Sequence, residues 1–155
     1  MEVIVEADKV DVDGLILHFK NNTKFTLAQI EGFSELKAPD TKGLDAIEVS
    51  KAGEDFDLKQ SLAKGKPTII EFSADWCVPC KVLERKLVSY MTENERIALR
   101  KVNIVDWESE VAKAKLKGVD EIPYVIVFDS LGKEAYRGTG IFEKIVEVIA
   151  IIRVR

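Results

Sequence analysis

With two cysteines, one histidine, four prolines and nine glycines in 155 residues, the chain has little of what most special-purpose scaffolds require. A secreted fold stapled by disulfides needs more cysteines, closing longer loops, than Cys77 and Cys80, which lie three positions apart. A structural zinc site takes four ligands, and with His18 as the single histidine a Cys/His set is one short. Glycine and proline are too sparse for collagen or low-complexity sequence. Long apolar runs are missing too: Tyr124–Phe128 and Val148–Ile152, five residues each, are the longest, against about 20 for a membrane span. Basic charge is not in excess, since 23 Lys and Arg are interspersed with 27 Asp and Glu for a net charge of −4. A chain without a basic stripe lacks the electrostatic footprint of a nucleic-acid binder. The start, Met1-Glu2-Val3-Ile4-Val5-Glu6, has neither the positive nor the apolar region of a signal peptide. That fits a cytoplasmic protein if Met1 is the native start, and an extracytoplasmic one if a signal or anchor has been removed.

What is present, 46% hydrophobic and 32% charged residues, is the mixture of a globular protein: one domain, or one domain with an appendage. Leu15–Phe19 and Phe25–Ile30 read as two strands of a β-hairpin, with Asn21-Asn22-Thr23-Lys24 as its turn. His18, with no cluster of ligands near it in sequence, reads as an ordinary strand residue. Ser34–Leu44 has no periodicity and reads as a linker or surface loop. From residue 46 onward strands and helices alternate: a short strand at Ile47–Val49, an amphipathic helix at Glu54–Ala63, and a β-rich segment at Pro67–Ser73. A helix at Cys80–Met91 and a strand at Ala98–Val105 follow. Then come a helix at Glu108–Leu116, strands at Tyr124–Phe128 and Glu134–Gly138, and a last helix at Phe142–Ile152. This order predicts an α/β fold with a central mixed sheet, residues 46–155 forming the domain and 1–45 an N-terminal extension.

The cysteines occupy the junction between a strand and a helix, in Ala74-Asp75-Trp76-Cys77-Val78-Pro79-Cys80-Lys81. A sulfur at the start of a helix faces backbone N–H groups and the positive end of the macrodipole, which favours the thiolate. Cys80, one turn later, is close enough to close a disulfide with Cys77. Pro79 suits the first turn, where a missing N–H costs little. The placement predicts an exposed attacking Cys77 and a more buried resolving Cys80.

Trp76-Cys77-Val78-Pro79-Cys80 after an apolar strand resembles the active-site motif of the thioredoxin family. So does Ile122-Pro123 before the strand Tyr124–Phe128, 43 positions beyond Cys80. The resemblance implies a thioredoxin-like fold over residues 46–155 and a thiol–disulfide oxidoreductase that cycles Cys77 and Cys80 between dithiol and disulfide. It implies a cis peptide bond before Pro123, holding the backbone of Ile122 for pairing with an extended substrate. It also implies a buried carboxylate at Glu71 that takes the proton of Cys80, with Lys101 as that carboxylate's charged partner. Glu71 departs from the family, which carries aspartate there. Trp76, Val78, Pro79 and Ile122 are the implied substrate contacts. The Ala74–Val78 start and the Arg137-Gly138-Thr139-Gly140 finish are similar to the C-terminal domain of DsbD-type thiol:disulfide interchange proteins. The implied partners are proteins with exposed disulfides and an upstream protein electron donor, since no dinucleotide fingerprint is present. The cycle needs no cofactor beyond the disulfide itself, and a monomer, reducing rather than oxidising its substrates, is expected. The competing reading is a thioredoxin-fold interaction or metal-handling module without turnover.

Overall fold

The strand expected at Pro67–Ser73 is the centre of the sheet in the computed structural model, which describes residues 7–11, 16–19 and 38–153. The chain separates into two compact units, Met1–Ala38 and Pro39–Arg155. In the first, strands β1 (Ala7–Asp11) and β2 (Ile16–Phe19) pair antiparallel, with Lys9 opposite His18. Among the described residues β2 is therefore paired with the strand before it. Ala7-Asp8-Lys9-Val10-Asp11 has little of the β-branched and aromatic content that marks a strand, so its pairing leaves almost no trace in the sequence. The strand expected at Phe25–Ile30 and its turn lie outside the described residues, as do residues 34–37 of the expected loop.

The second unit is built on a five-stranded sheet in the order β3-β5-β4-β6-β7. Its strands are β3 (Ala46–Glu48), β4 (Thr68–Ser73), β5 (Ala98–Asn103), β6 (Tyr124–Phe128) and β7 (Glu134–Thr139). The helices are α1 (Val78–Glu93), α2 (Glu110–Lys115) and α3 (Phe142–Arg153). β3, β5 and β4 run parallel, while β6 and β7 run antiparallel to their neighbours. This is the mixed α/β architecture expected from the sequence. A central strand covered on both faces needs a continuous apolar run rather than an alternating one. β4 is buried along Thr68–Phe72, but the run is not wholly apolar: Ile69, Ile70 and Phe72 are interleaved with the hydroxyl of Thr68 and the carboxyl of Glu71. One face of the sheet packs Ile69, Leu99, Val125 and Val127 against Leu83, Leu87 and Met91 of α1 and Ile145 and Ile149 of α3. The other packs Ile70, Phe72, Val102 and Ile126 against Val111, Ala112 and Leu116, and the two cysteines belong to this second cluster. Ser109 caps α2 by accepting the N–H of Ala112 at 3.3 Å. Glu110 opens that helix and Lys113 and Lys115 close it, matching its macrodipole.

The helix expected over Glu54–Ala63 does not form; Leu58–Ser61 makes turns instead. Several of its backbone groups bond to side chains rather than to a helical ladder. The Asp57 carboxylate takes the N–H of Gln60 at 3.0 Å, and Thr68 Oγ1 takes the N–H of Ala63 at 3.0 Å. The guanidinium of Arg100, buried at 7% exposure, donates to the Ser61 carbonyl at 2.8 Å and to Asp45 Oδ1 at 2.7 Å. Phe56, Leu58 and Leu62 still pack on the second cluster, so the apolar pattern reports burial correctly and helical period wrongly. Burial raises the Asp45 carboxyl, but its bonds to Arg100 and Lys66 prevail and hold it below the usual carboxylate range.

Candidate active site

The chain leaves β4 through Ala74, whose carbonyl accepts the N–H of Cys77 at 3.0 Å in a tight turn. Cys77 is the N-cap of α1, in extended conformation, and its sulfur accepts the N–H of Cys80 at 3.2 Å. One of the orphan donors of the first turn therefore points at sulfur, the arrangement that stabilises a thiolate there. Pro79 sits in that first turn without cost to the helix. Cys77 and Cys80 form a disulfide, their Cα atoms 5.3 Å apart.

The expected difference in exposure between the two sulfurs does not appear. Cys77 is 4% exposed and Cys80 2%. The loop before β6 covers Cys77: the carbonyl oxygen of Ile122 lies 3.7 Å from its sulfur. What stands open beside it is Trp76, at 55% exposure, and Pro79; Val78 and Ile122 are half-buried.

The Ile122–Pro123 bond is cis, and the Pro123 carbonyl accepts the N–H of Gly140 at 2.8 Å. A Cβ on Gly140 would stand 2.5 Å from Leu83 of α1 and 3.0 Å from Pro123. Only glycine lets the end of β7 close on both the proline loop and the cysteine helix. In the sequence Gly140 carries only a resemblance, because a glycine forced by close approach looks like any other.

Beneath the helix, Glu71 is 1% exposed and its Oε1 has no hydrogen-bond partner among the described residues. Burial pushes its carboxyl up to about 8; the nearby charge of Glu84 adds to the rise and that of Lys101 opposes it. Lys101 acts on Glu71 through its charge, as a charged partner would, but among the described residues makes no hydrogen bond or ion pair with it. The two residues are register partners on adjacent parallel strands, but the Lys101 ammonium donates to Glu84 Oε1 at 3.1 Å. The physical reason lies in solvation. Glu84 and Lys101 keep 19% and 23% of their side chains exposed and stay hydrated as a pair, whereas a bond to fully buried Glu71 would strip the ammonium of water. Glu84 is the residue sequence reasoning overlooked. The signal was its spacing of four from Cys80, which puts both on one helical face.

Trp76 is held by its indole N–H, which donates to the Val105 carbonyl at 2.6 Å. Val105 is in the left-handed region at φ 63°, and its own N–H goes to Asn103 Oδ1 at 2.9 Å. Asn103 Nδ2 donates to Asp75 Oδ1 at 3.3 Å. A β-branched residue at positive φ costs about 1–3 kcal/mol, so this backbone stores strain beside the Trp76 ring. Val105→Gly is expected to raise unfolding stability by about 1 kcal/mol after the entropic cost of glycine. A denaturant midpoint that shifts upward checks this; a lower one contradicts it.

A disulfide that opens and closes at the head of a helix, on a mixed sheet and under a cis-proline loop, is the chemistry of thiol–disulfide oxidoreductases, and this chain is one of them. It belongs to the thioredoxin family: the family model described as Thioredoxin matches residues 48–150, more than half of the chain. The chain is 41% identical over 76 residues to a thioredoxin of Chlamydia caviae, covering 49% of this chain and 71% of that one. It is 30% identical over 122 residues to the thiol:disulfide interchange protein DsbD of Ralstonia nicotianae, covering 74% of this chain and 20% of that protein. Among solved structures, Fasciola hepatica thioredoxin matches with 29% identity and a TM-score of 0.47, over 57% of this chain and 82% of that one. The family's substrates are disulfides, and its cycle requires a reductant partner. No helix among the described residues is long and apolar enough to cross a membrane, and none of their His, Cys, Asp and Glu side chains form a group of three placed to hold a metal.

Proposed function

We propose that the protein reduces disulfides in protein substrates, with Cys77 as nucleophile, Cys80 as resolving thiol and Glu71 as proton acceptor. The observation that carries this reading is a pair of unlike environments: a sulfur at a helix N-cap that accepts a backbone N–H, and, on the strand that leads into that helix, a fully buried carboxyl raised to about 8. The Cys77 thiolate attacks one sulfur of the substrate disulfide, forming a mixed disulfide and expelling the other sulfur as a thiolate. Cys80 then gives its proton to the ionised form of Glu71 and attacks the Cys77 sulfur. The Cys77–Cys80 bond forms, the mixed disulfide breaks, and two electrons have passed to the substrate. A carboxyl titrating near 8 suits this transfer, since a base works best when its own titration lies near the operating pH. Lys101 opposes the rise of the Glu71 carboxyl by its own positive charge, against burial and Glu84, and so favours the charged form of Glu71. The substrate segment lies extended along the backbone of Ile122 before Pro123, against the apolar rim of Trp76, Val78 and Pro79. A protein electron donor restores the dithiol, the dithiol itself carries the electrons, and the enzyme works as a monomer. Residues 1–45 form an extension to the domain of residues 46–155.

Equilibration with glutathione buffers of graded potential tests the direction. A reductant is expected to poise below about −200 mV, towards the thioredoxin end of the range; a potential above about −150 mV would make the protein an oxidant and overturn the reading.

A further inference from the structure

The loop that covers Cys77 carries a charge that the reaction does not use. Glu121 immediately precedes Ile122, whose carbonyl oxygen lies 3.7 Å from the Cys77 sulfur. Its side chain is exposed, yet its position is set: Oε1 accepts a hydrogen bond from Thr139 Oγ1 at 2.9 Å. Thr139 ends β7, and the next residue, Gly140, donates its N–H to the Pro123 carbonyl. Both ends of the segment Glu121–Pro123 are therefore tied to two consecutive residues, the last of β7 and the one after it. None of the ion pairs among the described residues includes Glu121. Every exposed carboxylate can find water, but this one is oriented, has no ionic partner among the described residues and is one residue from the position where an incoming segment has to lie. Asp120 beside it in sequence and Asp75 beside Trp76 are further exposed acidic residues.

We propose that Glu121 is a specificity-determining residue that favours substrate segments carrying Lys or Arg next to the reactive cysteine. The inference deepens the reading above and rests on its placement of substrate along Ile122. An ion pair at an open protein surface is weak because water screens it. When the substrate backbone covers the loop in the mixed disulfide, part of that water leaves and the pair strengthens. A carboxylate already held by Thr139 also loses less side-chain freedom on pairing than a free one does. An acidic neighbour in the substrate meets the same fixed charge as repulsion, so discrimination works in both directions.

The test uses the full chain with Cys80→Ser, so that exchange stops at the first attack. Two short peptides, each with a single cysteine as its mixed disulfide with thionitrobenzoate, differ in having Lys or Glu next to that cysteine. Cys77 attacks the peptide sulfur, forms the peptide mixed disulfide and releases thionitrobenzoate, which is followed by absorbance. At low salt the Lys peptide is expected to react about threefold faster than the Glu peptide, the size of effect that partly screened pairs give. In Glu121→Gln, which keeps an acceptor for Thr139 and so keeps the loop in place, the ratio is expected to fall to about one. Glu48→Gln, on the edge strand at the far side of the sheet, is expected to leave the ratio as it was. A ratio unchanged by Glu121→Gln, or lowered equally by Glu48→Gln, overturns the assignment while leaving the exchange reaction standing. Failure of both peptides to release thionitrobenzoate from a folded protein contradicts the exchange mechanism itself, and this inference with it.

Discussion

Cys77→Ser is expected to lower turnover of a disulfide-bonded protein substrate to roughly a thousandth of the wild-type rate or less, because a hydroxyl at neutral pH offers almost no anion to attack sulfur. Cys80→Ser is expected to abolish turnover as completely while leaving the first attack intact, so that one equivalent of substrate thiol appears in a burst and nothing follows. The asymmetry comes from the cap geometry. The Cys77 sulfur receives the Cys80 N–H at 3.2 Å and lies 3.7 Å from the Ile122 carbonyl; both cysteines are buried, so the N–H donated to the Cys77 sulfur, rather than exposure, distinguishes them. A single-turnover assay with a thiol-reactive dye separates the cases. Equal burst amplitudes from the two variants would remove the distinction between nucleophile and resolving thiol.

Glu71→Gln is expected to act on the second step and on stability at once. Loss of a positioned base slows proton transfer by about a hundredfold or more, so resolution of the mixed disulfide should slow by that factor at neutral pH while the burst stays at wild-type rate. The stability effect follows from linkage. The Glu71 carboxyl titrates at about 8 in the folded protein, against an ordinary value of 4.5. Between those values the folded chain holds a proton that the unfolded chain has lost, so unfolding becomes easier as pH rises. The contribution of Glu71 is thus fully present below pH 4.5 and lost as pH climbs through 8. Glutamine cannot ionise and escapes this loss. Relative to Glu71→Gln, the wild type is expected to lose on the order of 5 kcal/mol across that window, at about 1.4 kcal/mol per pH unit. Denaturant unfolding at a series of pH values checks this, and parallel curves for the two proteins contradict it.

Most of the sheet could be read from the sequence because its strands have extreme patterns. β6 is an unbroken apolar run, β4 carries Ile69, Ile70 and Phe72 in six residues, and α1 and α3 repeat their apolar residues at helical spacing. Residues 54–63 misled because Phe56, Leu58 and Leu62 are buried without a helix: two of the segment's backbone partners, Thr68 and Arg100, lie on strands whose proximity local periodicity cannot report. The dithiol and the cis bond at Pro123 were legible as motifs. The covering of Cys77 was not, since it depends on a loop 45 residues away reaching the sulfur. The burial of Glu71 followed from the apolar residues around it. Its partner did not, because two carboxylates, Glu71 and Glu84, compete for Lys101 and hydration decides the outcome.

The proposed reaction rests on one sulfur, that of Cys77, making the bond to substrate. Reduced Cys80→Ser protein incubated with a disulfide-bonded substrate, separated without reductant and mapped by mass spectrometry of its peptides, reads that bond directly. A covalent complex joined through Cys77 is the expected result. A complex of equal yield from Cys77→Ser, joined through Cys80, would contradict the account.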